Sequence, residues 1–159
     1  MRKSQVILVS AVVALTLSAC ADANQSASAP GGGESVGTAM QCEYPSDQME
    51  PARPVDPPPG TNVPNQGTVN ATLQLTAGDI NLTLDRDKAP CTVNSFLSLA
   101  EQEYFDDTDC HRLVDEGIFI LQCGDPTATG MGGPGYSFAD ETTDDLTYTS
   151  GVVAMANRG

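Results

Sequence analysis

Basic residues are scarce in this chain: seven Lys and Arg stand against 21 Asp and Glu over 159 residues, a formal net charge of −14. A surface of that sign repels phosphate backbones and anionic headgroups, which excludes nucleic acid as a partner and leaves solubility as the use of the excess acid. Histidine occurs once and no Cys-x-x-Cys spacing is present, so the usual zinc-ligand patterns are missing and no metal is expected. The acidic run Asp140-Glu141-Thr142-Thr143-Asp144-Asp145 lacks EF-hand spacing and reads as a solvated loop. The glycine-dense stretch Gly130-Met131-Gly132-Gly133-Pro134-Gly135 has no Gly-Lys-Ser/Thr ending, so it is no phosphate loop. Long apolar runs are absent too. The apolar stretch at residues 6–17 is too short to span a bilayer comfortably.

That stretch belongs to a processing signal. Arg2 and Lys3 precede it, and Leu17-Ser18-Ala19-Cys20 closes it with small residues before a cysteine. This ending is similar to the bacterial lipobox, which implies a signal peptide at 1–19, a lipid on Cys20, and export to the outer face of the cell membrane. Acyl chains contribute roughly 0.8 kcal/mol per buried CH₂, so several hold a protein firmly. Residues 20–66, rich in Ala, Ser, Gly and Pro, read as a linker, mobile at Gly31-Gly32-Gly33 and stiffer at Pro57-Pro58-Pro59. With Cys20 set apart, Cys42, Cys91, Cys110 and Cys123 remain. An even number suggests two disulfides, with three pairings open.

From residue 67 the pattern is that of one folded domain. Val69, Ala71, Leu73 and Leu75 alternate with polar residues, as do Ile80, Leu82 and Leu84, so residues 68–85 read as two half-buried antiparallel strands around Ala77-Gly78-Asp79. Asn70-Ala71-Thr72 and Asn81-Leu82-Thr83 are chance matches to a glycosylation pattern. Pro90 suits the first turn of a helix, and Val93, Phe96, Leu97, Ala100 and Tyr104 follow at helical spacing as its core stripe. Residues 110–114 and 118–123 read as the strands of a hairpin turning at Asp115-Glu116-Gly117. Cys110 and Cys123 flank it at similar distances, which suits a cross-strand bond and leaves Cys42 for Cys91. Residues 151–156 are apolar and Val-containing, as in a buried strand.

Several segments, in one order, resemble the cyclophilin-type peptidyl-prolyl isomerases. They are Ala89-Pro90-Cys91-Thr92-Val93-Asn94-Ser95-Phe96, Tyr104-Phe105-Asp106, His111-Arg112, Phe119-Ile120-Leu121-Gln122, Cys123-Gly124-Asp125-Pro126-Thr127, the Gly-rich loop, Tyr136-Ser137-Phe138-Ala139-Asp140-Glu141, and Gly151-Val152-Val153-Ala154-Met155-Ala156-Asn157. The extra cysteines and longer hairpin turn resemble secreted actinobacterial members. The resemblance covers residues 67–159 and implies a mainly β fold: a closed antiparallel β-barrel with capping helices, of which this chain holds the N-terminal part. The family's segment following Asn157 is absent, so an open barrel edge and an incomplete proline pocket are expected.

The implied activity is cis–trans isomerisation of X-Pro bonds in unfolded or partly folded exported proteins, with no cofactor. Arg112 matches the catalytic arginine and Gln122 the substrate-holding glutamine. Phe119 and Ile120 match apolar pocket positions, and Ala156 and Asn157 a segment whose backbone meets the substrate. His111 alternates away from Arg112 and is structural. Two alternatives stand beside this reading: a membrane-tethered module that binds proline peptides without catalysis, and an inactive fragment.

Overall fold

The computed structural model describes residues 39–157, which fall in one of the chain's two compact units, Ser35–Gly159. The signal at 1–19, Cys20, the first part of the linker, and Arg158 lie outside the described residues. Seven elements follow in order: β1 (Ala39–Met40), β2 (Val63–Pro64), β3 (Thr68–Leu75), β4 (Gly78–Asp85), α1 (Pro90–Glu101), β5 (Arg112–Val114) and β6 (Ile120–Gln122). The strands form three antiparallel pairs, β1–β2, β3–β4 and β5–β6. The architecture is therefore mainly β, with one helix among the described residues.

Alternation builds the β3–β4 hairpin. Val69 pairs with Leu84, Ala71 with Leu82 and Leu73 with Ile80, which puts the apolar set on one face. On the other face Thr72 donates to Asn81 Oδ1 at 3.0 Å and Thr83 to Asn70 Oδ1 at 3.2 Å. The two Asn-x-Thr triplets thus serve as a polar cross-strand ladder.

Helix α1 starts at Pro90, whose missing N–H costs nothing in a first turn. Its cap comes from far along the chain. Glu141 accepts from the Cys91 and Thr92 backbone N–H groups at 2.9 and 2.7 Å and from the Thr92 hydroxyl at 2.8 Å. The acidic run is thus no free loop at this position, because a carboxylate satisfies the orphan donors of a helix N-terminus. The C-terminus closes with Glu103 at φ +58°, Glu103 N–H donating to Ala100 O and Tyr104 N–H to Leu99 O. That is a Schellman closure, with Tyr104 and Leu99 in apolar contact. The buried face differs from the expected stripe: Val93, Ser95 and Leu99 are inside, while Ala100 is exposed. Ser95 can be buried because its hydroxyl meets that of Tyr136 at 2.8 Å.

Residues 39–66 do not behave as a spacer in this structure. They form a strap over α1 and the Gly-rich loop. Cys42 is disulfide-bonded to Cys91, Tyr44 donates to Cys91 O at 2.8 Å, and Asn94 donates to Tyr44 Oη and Pro59 O. Arg53 donates to the carbonyls of Glu103, Tyr104 and Asp106 at 2.6, 3.1 and 2.8 Å. Proline-rich sequence holds here because its carbonyls and N–H groups find partners on the domain rather than in a ladder. The core sits under this strap: Leu99, Tyr104 and Tyr136 are buried, with Tyr44, Val55, Phe105 and Phe138 against them. Tyr44 meets Tyr136 and Phe138 edge to face at 5.7 and 5.5 Å.

Residues 151–157 correct another expectation. They form no strand and are exposed, because no strand among the described residues pairs with them to satisfy the backbone.

Candidate active site

The β5–β6 ladder pairs Arg112 with Gln122, Leu113 with Leu121 and Val114 with Ile120. Side chains alternate along a strand, so Arg112, Val114, Ile120 and Gln122 share one face while Leu113 and Leu121 take the other. Directly opposed residues have Cβ atoms about 5 Å apart, which sets a guanidinium beside a carboxamide. Arg112 is exposed, and among the described residues no carboxylate or carbonyl occupies its donors. Phe119 stands just before β6 and is 82% exposed. Ile120 lies on the Arg112 face, 37% exposed. The ladder brings together Arg112, Gln122 and Ile120, and it does not include Ala156 or Asn157. Ala156 is exposed, and Asn157 donates to Asp140 Oδ2 at 2.6 Å.

The strands are shorter than expected at their outer ends. Their register continues in an isolated bridge between Asp109 and Asp125, which would set Cys110 opposite Gly124 and His111 opposite Cys123. Those rungs are not formed. Instead Cys110 is bonded to Cys123, Cα–Cα 3.9 Å, joining residues of adjacent rungs, and Gly124 takes φ +91°. His111 packs against Gly130, whose added Cβ would lie 3.3 Å from the imidazole, and its two buried ring nitrogens have no hydrogen-bond partner among the described residues.

Beyond Gln122 the loop is organised by Asp125, which the sequence reading passed over. Its carboxylate accepts from the backbone N–H groups of Thr127, Thr129, Gly130 and Gly132 at 2.7, 3.2, 2.7 and 3.1 Å, and from the Thr127 hydroxyl. Burial pushes the Asp125 carboxyl up, but the bonds from Thr127, Gly132 and Gly130 outweigh it and hold the group well below the usual carboxylate range. A side chain at 132 would strike that carboxylate. The Asp-x-Thr pattern of an Asx turn was the available signal. On the loop's other side the strap binds it: Asp47 N–H to Gly135 O at 3.0 Å, Ala52 N–H to Gly133 O at 2.8 Å, and Ser137 N–H to Pro45 O at 3.0 Å. Among the described residues no three His, Cys, Asp or Glu side chains converge as metal ligands.

A family profile described as cyclophilin type peptidyl-prolyl cis-trans isomerase/CLD matches residues 70–159. The chain belongs to the cyclophilin-type isomerase family. Within that family, the chain is 41% identical over 139 residues to the probable peptidyl-prolyl cis-trans isomerase B of Mycobacterium leprae, covering 79% of this chain and 47% of the relative. The corresponding protein of Mycobacterium tuberculosis is 39% identical, covering 79% and 45%. A putative bifunctional phosphatase/peptidyl-prolyl cis-trans isomerase of Streptococcus pyogenes is 42% identical over 104 residues, covering 64% and 22%. The chain spans about half the length, or less, of these cyclophilin-type relatives. No solved structure matches it significantly.

Proposed function

We propose that this protein is a peptidyl-prolyl cis–trans isomerase acting on X-Pro bonds of exported proteins as they fold, held at the membrane by lipid on Cys20. The observation that carries the chemistry is the opposition of Arg112 and Gln122 on one face of the hairpin. An imide resists rotation by roughly 18–20 kcal/mol, and no nucleophile or metal is needed to lower that barrier. Twisting the C–N bond pyramidalises the proline nitrogen and gives it a lone pair. Arg112 donates to that lone pair, which the planar states lack, so it favours the twisted state selectively. Its fixed fork and permanent charge suit the task. Gln122 holds the peptide backbone alongside, Phe119 and Ile120 grip the ring, and Ala156 and Asn157 present backbone to the peptide. A closed barrel completing the pocket belongs to the same proposal.

The test is a prolyl isomerisation assay on the protein with a proline-containing peptide. Acceleration that disappears in Arg112→Ala supports the reading. Peptide binding without acceleration overturns it in favour of a binding module. Labelling with a fatty acid, abolished by Cys20→Ala, tests the anchor separately.

A further inference from the structure

The two disulfides differ in where they sit. Cys42, which bonds the strap to Cys91, is 4% exposed, and Cys91 is partly buried. Cys110 and Cys123 are both exposed. Their bond lies two residues from Arg112 on one strand and one from Gln122 on the other. It also crosses the register. The ladder that pairs Arg112 with Gln122 resumes at Asp109 and Asp125 in the same frame, and the intervening rungs, Cys110 with Gly124 and His111 with Cys123, are open. A bond between residues of adjacent rungs holds them open, because side chains one step apart on paired strands project from opposite faces.

We propose that Cys110–Cys123 is a thiol–disulfide exchange site for a dithiol reductant, and that opening it lets the β5–β6 ladder close through to Asp109 and Asp125. One thiolate of the reductant attacks a sulfur of the pair and forms a mixed disulfide, and the other cysteine leaves as a thiolate and takes a proton. The second thiol of the reductant then attacks the mixed disulfide and releases the remaining cysteine. Two electrons pass to the protein, and the dithiol ends as its own disulfide. Exposure governs access to such attack, so Cys42–Cys91 stays closed under the same conditions. Gly124 permits the rearrangement, since glycine adopts both its present positive φ and an extended strand conformation. Closure of the rungs changes the rim of the Arg112–Gln122 face by moving His111 relative to Gly130. The exchange and its structural consequence do not depend on whether that face turns over proline bonds.

The experiment titrates the native protein with dithiothreitol, traps thiols by alkylation, and maps the labelled peptides. Cys110 and Cys123 are expected to label at about tenfold lower dithiol than Cys42 and Cys91. Hydrogen exchange on the selectively reduced protein should show greater protection of the amides of one of the two rungs within 110–111 and 123–124, since alternate rungs of an antiparallel pair carry the hydrogen bonds. Cys110→Ser/Cys123→Ser should reproduce it. Labelling of Cys42 and Cys91 first or in parallel overturns the proposal, as does unchanged or reduced protection at both rungs. Should the double variant fail to fold, exchange on the selectively reduced wild type decides.

Discussion

The hydroxyls of Ser95 and Tyr136 lie 2.8 Å apart in the buried centre of the domain. They join helix α1 to the chain leaving the Gly-rich loop. Ser95 is 1% exposed and Tyr136 2%, so neither hydroxyl has water as an alternative. Burial pushes the Tyr136 phenol up, and the bond to Ser95 offsets part of that. Ser95→Ala and Tyr136→Phe are each expected to cost about 1–3 kcal/mol, because each leaves the other hydroxyl buried and unpaired. The double variant should cost less than the two single losses together. Urea unfolding of all four proteins measures the coupling, and simple additivity would show that the two hydroxyls do not act as a pair.

Glu141 predicts a second loss of stability. It caps α1 from 49 residues away along the chain, where Ala89, the residue in the capping position, offers no side-chain bond. Glu141→Ala should cost about 1–2 kcal/mol. Glu141→Gln retains an acceptor and should cost less. Thermal unfolding at low ionic strength distinguishes them, and equal melting of all three proteins would remove the cap from the account.

That cap shows why only part of this fold is legible along the chain. The β3–β4 hairpin is legible because period two persists through both strands, and the helix start because Pro90 marks it. The strands carrying Arg112 and Gln122 are legible by composition, as apolar runs either side of the polar turn Asp115-Glu116-Gly117, apart from the rungs that the Cys110–Cys123 bond opens. What is not legible depends on partners distant in sequence. Ser95 looks like a surface residue until Tyr136 reaches it, and Leu99 replaces Ala100 inside because α1 faces the strap and Tyr136. The strap reads as linker by composition, since Arg53, Tyr44 and Cys42 do their work through contacts with residues far along the chain and follow no period. Residues 151–156 have strand-like composition, but a strand exists only with a neighbour.

Asp125 links stability to pH. An unfolded Asp has a pKa near 4, and the folded value is well below that. Its contribution is therefore complete above about pH 4 and is lost as pH falls through the folded value. Asp125→Asn should cost about 1.5–3 kcal/mol at neutral pH, since a charged acceptor of several backbone N–H groups becomes neutral. Below pH 4 the variant's stability should fall less steeply, by up to about 1.4 kcal/mol per pH unit, as one protonation is removed. Denaturant unfolding from pH 2 to 7 makes the measurement. Parallel profiles for the two proteins would contradict the assignment.

Arg112 separates chemistry from stability more sharply. It is exposed on β5 and has no hydrogen bond or ion pair among the described residues, so Arg112→Ala should change unfolding free energy by no more than about 0.5 kcal/mol. The proposed donation to a lone pair that only the twisted state carries predicts that the same change should nevertheless reduce kcat/KM by about 10²–10³-fold. Arg112→Lys should recover little, since an ammonium cannot reproduce the planar fork. Gln122→Ala tests the opposite strand: a residue that holds the peptide equally in planar and twisted states raises KM with kcat nearly unchanged. Isomerisation kinetics and chemical unfolding on the same preparations give both quantities. If Arg112→Ala turned over at the wild-type rate, the opposed pair would be a feature of the hairpin surface and the reaction would need another donor.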